Sequence, residues 1–319
     1  MLEIATILLA DRYVFVETGK ALPDPKKPNI ILDESPKMFS YENSEDPESI
    51  EDSFKRGLDE IAKRYPNLSA LTVGSCVAIK SSATFDKITN NASEKLYGVI
   101  GKSGTHPTWE DIDLYELACE KFKKIKKHIF VRADVSLAAL GEFHFRLNSS
   151  EHEIAPKSYQ KKLNSDTNGD HVTLAYIKLS ADINGAFVYG GHLLGGMNHP
   201  YLFGIKPRRL QIGGFIDDFE GCKFHGSCYS GLISSRSLKE RLRRIGEDKE
   251  LHMLPEHHSI WEILNYYTTQ LCLNVMGMHV PTCIVLGGRL VQDYQNPGFP
   301  KNNIVNHVNA AVRLSLIHI

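Results

Sequence analysis

Three side chains that bind soft or borderline metals fall close together in the run Gly221-Cys222-Lys223-Phe224-His225-Gly226-Ser227-Cys228-Tyr229-Ser230-Gly231-Leu232. Zinc takes four nitrogen or sulfur ligands in a tetrahedron, and a C-x2-H-x2-C loop supplies three of them: Cys222, His225 and Cys228. The glycines let the backbone double back so that the three side chains converge. The plainer alternative is a pair of buried cysteines beside a surface histidine. A fourth ligand has to come from elsewhere in the chain.

The elements that must position this loop follow from periodicity and turn chemistry. Residues 4–9 and 13–17 read as a hairpin with Ala10-Asp11-Arg12 at its turn, and residues 23–44 as a surface loop rich in proline and charge. Asp46-Pro47 is a helix start, and Ile50, Phe54, Leu58 and Ile61 give that helix one apolar face. Strands are expected at 71–77, 128–132, 171–179, 185–189 and 282–286. The strand at 128–132 runs straight into a helix at Asp134, where a carboxylate can serve as a plain N-cap. Residues 151–169 read as a polar loop, 237–245 as a basic helix with a solvated face, and 255–278 as a long amphipathic helix. Alternating strands and helices with apolar, parallel-sheet-like runs indicate an α/β fold.

Composition narrows the class. The 319 residues suffice for two ordinary domains, and 42% hydrophobic with 24% charged residues is globular material. A net charge of −1 leaves no footprint for nucleic acid or an anionic membrane. No apolar stretch approaches spanning length, and the first fifteen residues lack the basic start and cleavage site of a secretion signal. Six cysteines in so long a chain suggest free thiols in a reducing, cytoplasmic setting.

The loop at 222–235, Cys-Lys-Phe-His-Gly-Ser-Cys-Tyr-Ser-Gly-Leu-Ile-Ser-Ser, resembles the zinc loop of the bacterial-type fructokinases, C-P-Y-H-G-D-C-L-E-G-L-A-S-G. These are a branch of the ROK family (repressors, open reading frames, kinases). Asp217-Asp218-Phe219-Glu220-Gly221 is similar to the family's D-D-x-F-x-G. Ala133-Asp134-Val135-Ser136-Leu-Ala-Ala-Leu-Gly141-Glu142 is similar to T-D-V-N-A-A-A-L-G-E. Gly190 to Pro200 follows N-G-K-L-L-H-G-L-S-H-P, and His258 to Tyr267 follows H-A-V-W-E-L-E-A-Y-Y. Thr108 to Leu114 is similar to G-W-R-N-F-D-L, and Leu286-Gly287-Gly288 to L-G-G-G. The resemblance is firm over about 71–290 and faint before that.

That resemblance implies a two-domain, actin-like or hexokinase-type (ribonuclease H-like) α/β fold. The domains it implies are 1–134 and 135–313, with the zinc-type loop at 217–235 in the second. It implies Asp134 as the base that takes a proton from a sugar hydroxyl. Gly185, Gly287 and Gly288 fall on nucleotide-side turns, Trp109 and His199 on the sugar side, and Cys222, His225 and Cys228 on zinc. The last six residues, 314–319, match the translation of a common sequencing adapter and are expected to be a non-native tail.

Several ligand-facing positions depart from the pattern. The glycine-threonine phosphate turn of the family's first hairpin is Leu9-Ala10-Asp11 here. The second phosphate turn, G-T-G-I-G-G, is Ser180-Ala181-Asp182-Ile183-Asn184-Gly185, with only the last glycine kept. Lys80, Asp111 and Tyr201 replace sugar contacts, and Gly204 replaces the histidine that completes the zinc site, which leaves either His199 or His192 as fourth ligand or an empty loop. Side chains obstruct close backbone approach to phosphate, and each aspartate adds charge of the wrong sign. The expectation is therefore an ATP-dependent hexose kinase homologue, fructose first, with weak or lost activity. Mg-ATP binds only if activity survives. The alternative is a pseudokinase, a binding or structural subunit that pairs with itself or with an intact paralogue.

Overall fold

The computed structural model describes residues 1–10, 13–22, 30–33, 36–41, 45–77, 79, 98–101, 106–148, 172–194, 205–212, 214–255, 257–293, 304 and 308–310. Asp11, Lys80, His199, Tyr201, Gly204, the loop 151–169 and the tail 314–319 lie outside the described residues. The chain divides into two compact units, Met1–Leu137 and Ala138–Ile319.

In the first unit β1 (Leu2–Leu9) and β2 (Tyr13–Ala21) form the expected hairpin. β3 (Ile30–Leu32) and β4 (Lys37–Ser40) then pair antiparallel with β2, so part of the segment read as a loop is sheet. These are short, exposed edge strands flanked by prolines, and their apolar runs are too brief to carry a periodic signal. α1 (Pro47–Arg64) starts where Asp46 accepts a hydrogen bond from the Glu48 N–H, and it buries Ile50, Phe54, Leu58 and Ile61. β5 (Ala70–Ser75) pairs parallel with β1. After α2 (Leu114–Lys121), β6 (Ile129–Ala133) pairs parallel with β5 and leads into α3 (Asp134–Asn148).

The register sets the geometry of the sheet's carboxyl edge. Leu9 pairs with Ser75, and Ser75 pairs with Ala133, so β1, β5 and β6 end level. In open α/β sheets ligands bind at this edge. The β1–β2 turn and the start of α3 both lie there.

In the second unit four described strands form one sheet. β7 (Thr173–Leu179) and β8 (Ile183–Tyr189) form a hairpin joined by residues 180–182, and β9 (His192–Leu193) follows. A two-stranded ribbon, β10 (Gln211–Ile212) and β11 (Phe215–Ile216), leads into the metal loop. Then come α4 (Tyr229–Ile233), α5 (Ser235–Arg244) and the long α6 (Ser259–His279). β12 (Cys283–Gly287) pairs parallel with β7 and precedes α7 (Arg289–Asp293).

Each unit has its own core. Ile7, Phe54, Leu71, Val73 and Val131 are buried in the first. Ile177, Phe187, Tyr229, Trp261, Leu264 and Tyr267 are buried in the second. Trp261 is thus a core residue, its indole N–H donating to the Pro255 carbonyl at 3.0 Å.

Candidate functional site

The candidate metal loop is built by its own backbone. Cys222 and Gly226 exchange both N–H···O bonds, at 3.0 and 2.9 Å, closing a tight turn that presents Cys222 and His225. Gly226 turns it with φ of 62°, in the left-handed region. Cys228 then caps α4, its sulfur accepting the Gly231 N–H at 3.4 Å. The ligand atoms of Cys222, His225 and Cys228 all lie within 4.8 Å of one another. Cys222 Sγ and His225 Nδ1 are 3.8 Å apart. Zinc–ligand bonds of ~2.1–2.3 Å at the tetrahedral angle separate two ligand atoms by about 3.6 Å, so this donor set fits zinc.

The two cysteines differ in setting. Cys228 is buried, and burial pushes its thiol up to about 11, with the neighbouring Cys222 adding to the rise. A metal bound there would take the place of that proton. Among the described residues no fourth His, Cys, Asp or Glu joins the three, and His192, on exposed β9, is not part of the group.

Behind the loop stands a polar brace that sequence reasoning missed. Asp217 is 3% exposed. It receives both terminal nitrogens of Arg241, at 2.9 and 2.8 Å, the Tyr267 hydroxyl at 2.7 Å and the Phe219 N–H at 3.2 Å. Burial alone would raise its carboxyl, but Arg241 and Tyr267 outweigh that and hold it below the ordinary range. The Arg241 guanidinium also lies 4.0 Å from the Phe219 ring centroid. The basic helix is therefore not solvated all round. Arg243 and Arg244 face solvent, but Arg241 turns inward, and a charge run carries no mark of which member does so.

The two turns of the second unit that the sequence resemblance assigns to the nucleotide come together. Gly287 pairs with Lys178, and a methyl group at Gly288 would sit 2.4 Å from the Leu179 carbonyl oxygen, so the glycine turn packs on the end of β7 beside residues 180–182. Gly185 lies within β8, paired with Ile177, and not in the turn itself. The turn is tied from outside: Ser230 Oγ accepts the Ile183 N–H at 3.2 Å and reaches the Asp182 carboxylate at 3.5 Å. The Ser235 N–H bonds the Ser180 carbonyl at 2.8 Å.

In the first unit Asp134 opens α3, its carboxylate accepting the Val135 N–H at 2.6 Å. At the same sheet edge the Tyr41 hydroxyl bonds the carbonyls of Ala10 and Tyr13, at 2.8 and 3.2 Å, and pins the hairpin turn. Trp109 is fully buried, stacked on His106 with centroids 4.0 Å apart and edge-on to Tyr41. Asp111, two residues on, holds φ of 73°, a conformation that aspartate and asparagine tolerate better than most residues.

No family model matches the chain. It is 27% identical over 210 residues to a fructokinase of Lactococcus lactis subsp. cremoris, covering 66% of this chain and 60% of that protein. It is 27% identical over 233 residues to a putative fructokinase of Bacillus subtilis, covering 72% and 63%. The chain thus spans under two thirds of the length of these relatives. Its structure superposes on a ROK hexokinase from Thermus thermophilus with a TM-score of 0.65 at 14% identity, over 99% of this chain and 90% of that one. A ROK family glucokinase from Streptomyces griseus, solved with glucose and AMPPNP, gives 0.63 at 13% identity over 99% and 90%. At such identities the superpositions speak for the fold, an actin-like, hexokinase-type α/β architecture, and the fructokinase matches speak for descent. In sequence the chain is thus similar to bacterial fructokinases, and in fold to ROK family sugar kinases.

Proposed function

We propose that this chain is a descendant of ATP-dependent hexose kinases, with fructose the hexose named by its relatives, in which phosphoryl transfer is weak or lost. Two observations support the reading, a retained carboxylate in the first unit and an altered turn in the second. Asp134 stands at the carboxyl edge of the parallel strands, where a base can take the proton of a sugar hydroxyl. The β7–β8 turn presents the Asp182 side chain where bare backbone N–H groups suit phosphate. Phosphoryl transfer depends almost wholly on positioning and electrostatics. A like-charge contact at ~4 Å and near-surface dielectric costs about 4 kcal/mol before screening. That is roughly a thousandfold in affinity.

The metal reading rests on the donor geometry, and zinc at the triad serves to order the loop. Gly287 and Gly288 are the backbone surfaces for a nucleoside, and Mg-ATP is a ligand only to the extent that Asp182 allows. Trp109 and His199 belong to the sugar side, Trp109 as a buried support. The six cysteines form no disulfide, which suits a reducing cytoplasm, and no described helix is long and apolar enough to cross a membrane. With catalysis diminished, the chain serves as a binding or structural subunit, paired with itself or with an intact paralogue.

The test is a coupled kinase assay with Mg-ATP and fructose or glucose on the wild type, Asp134→Asn and Asp182→Gly. Little or no wild-type turnover, with ATP affinity rising in Asp182→Gly, is expected. Robust wild-type turnover that vanishes in Asp134→Asn would overturn the loss and restore a working kinase.

A further inference from the structure

We propose that α4 couples the metal triad to the β7–β8 turn, with Ser230 as the positioning residue: metal at Cys222, His225 and Cys228 holds the turn, and its loss releases it. The proposal rests on the metal reading of the triad and not on the turn's role toward phosphate.

The contacts run in one direction through a very short helix. On its loop side, α4 is seated on the metal-binding turn. The Gly221 N–H bonds the Gly231 carbonyl at 3.1 Å, and the Cys228 sulfur accepts the Gly231 N–H. A methyl group at Gly231 would lie 2.2 Å from the Gly226 carbonyl oxygen and 2.8 Å from Cys222 Cβ, so no space separates helix and loop. On its other side, Ser230 holds the Ile183 N–H and reaches Asp182, while the Ser235 N–H holds the Ser180 carbonyl. Ser237 Oγ donates to the Ser230 carbonyl at 3.0 Å, and Ser234 caps α5, which locks the two helices to each other. These bonds to both ends of the three-residue turn come from a stretch that begins at a metal ligand.

A helix of five residues cannot hold its own position, because nucleation outweighs the few internal hydrogen bonds it gains. Its body is held by the core packing of Tyr229, Leu232 and Ile233, and the placement of its first turn by what grips Cys228. Cys228 is both a metal ligand and the cap of α4, so a bound metal fixes the first residue of the lever that carries Ser230. With the metal gone, that end keeps a weak thiol–amide contact, the backbone bond to Gly221 and the core packing of Tyr229, and loses the metal bonds that join Cys228 to Cys222 and His225.

The experiment follows amide hydrogen exchange over residues 179–184 in the full-length chain, loaded with zinc or stripped by a chelator. Cobalt(II) in place of zinc reports thiolate coordination by its charge-transfer absorbance. In the wild type, stripping the metal is expected to speed exchange in the turn about tenfold, together with residues 221–231, a factor in the ordinary range for coupling between two sites. In Ser230→Ala the turn is expected to exchange at the fast rate with or without metal, while the cobalt spectrum is unchanged, and Ser230→Thr restores the response. Ser235→Pro is a second variant that keeps the fold: position 235 is the first residue of α5, where proline is tolerated, and Ser234 already has the extended backbone that precedes proline. It removes the donor to Ser180 and is expected to weaken the response in the same way. Three results overturn the proposal: a wild-type turn indifferent to metal, a Ser230→Ala turn that still responds, or a chain that takes up neither zinc nor cobalt. None of these readouts depends on turnover, so a failed kinase reading leaves them intact.

Discussion

Replacing Asp217 by asparagine should unfold the second unit far more readily than its conservative shape suggests. The Asp217 side chain is 4% exposed and that of Arg241 10%, so the substitution strands a guanidinium away from water. Breaking a buried pair by removing one partner costs about 3–5 kcal/mol. Arg241 keeps the Leu232 carbonyl, at 3.2 Å, and the Phe219 ring, which favours the lower end, about 3 kcal/mol. With a urea slope of about 2 kcal/mol per molar, the midpoint moves down by roughly 1.5 M. The two tryptophans report separately, Trp109 from the first unit and Trp261 from the second, so a Trp109→Phe background isolates the relevant transition. The double variant with Arg241→Met should lose less than the sum of the singles, because the stranded charge is gone. The carboxyl is held below its usual value of 3.8, so the unfolded chain takes up the proton first as pH falls. Its contribution is therefore present above about pH 4 and lost below, and Asp217→Asn should flatten that acid slope. A midpoint shift under about 0.3 M, or strict additivity with Arg241→Met, would refute the account of Asp217 as a buried, charge-paired brace.

Val280 caps α6 in the left-handed region, with φ of 44°, and is 81% exposed, so Val280→Gly should stabilise the second unit by about 1 kcal/mol in thermal or urea unfolding. Gly231→Ala should cost about 3 kcal/mol by overpacking and abolish zinc uptake measured by metal analysis, because the added methyl collides with the loop backbone. In the first unit, hydrogen bonds from Tyr65 and Thr18 hold the Asp33 carboxyl low, and burial together with Asp33 pushes the Tyr65 phenol up to about 12. Alkaline stability should thus be full below pH 10 and fall between 10 and about 12, followed by tyrosinate absorbance.

The sequence made local order legible and long-range pairing opaque. α1 could be placed almost to the residue because its cap, its first-turn proline and its apolar spacing are all local. The convergence of Cys222, His225 and Cys228 was legible for the same reason, since the three side chains lie within one turn-rich loop. β3 and β4 went unread because a strand of three or four residues is defined by its neighbour, here β2, and not by its own pattern. Ser230 lies 47 residues from Ile183, and Arg241 24 from Asp217. A serine in a short buried helix and an arginine in a basic one carry no sign that their partners lie that far away.

The parallel pairing of β12 with β7 carries a consequence for biosynthesis. Thr173 and Thr282, at the start of those strands, are bonded across 109 residues. On a ribosome, every strand of the first unit is made by residue 133, so its sheet can close early. The second sheet must wait with one flank of β7 bare until residues 283–287 emerge. Chains that close non-local pairs late fold slowly and expose unpaired edges meanwhile. The nascent second unit is therefore the part that depends on chaperones, and synthesis arrested between residues 194 and 282 should leave a folded first unit tethered to an aggregation-prone hairpin.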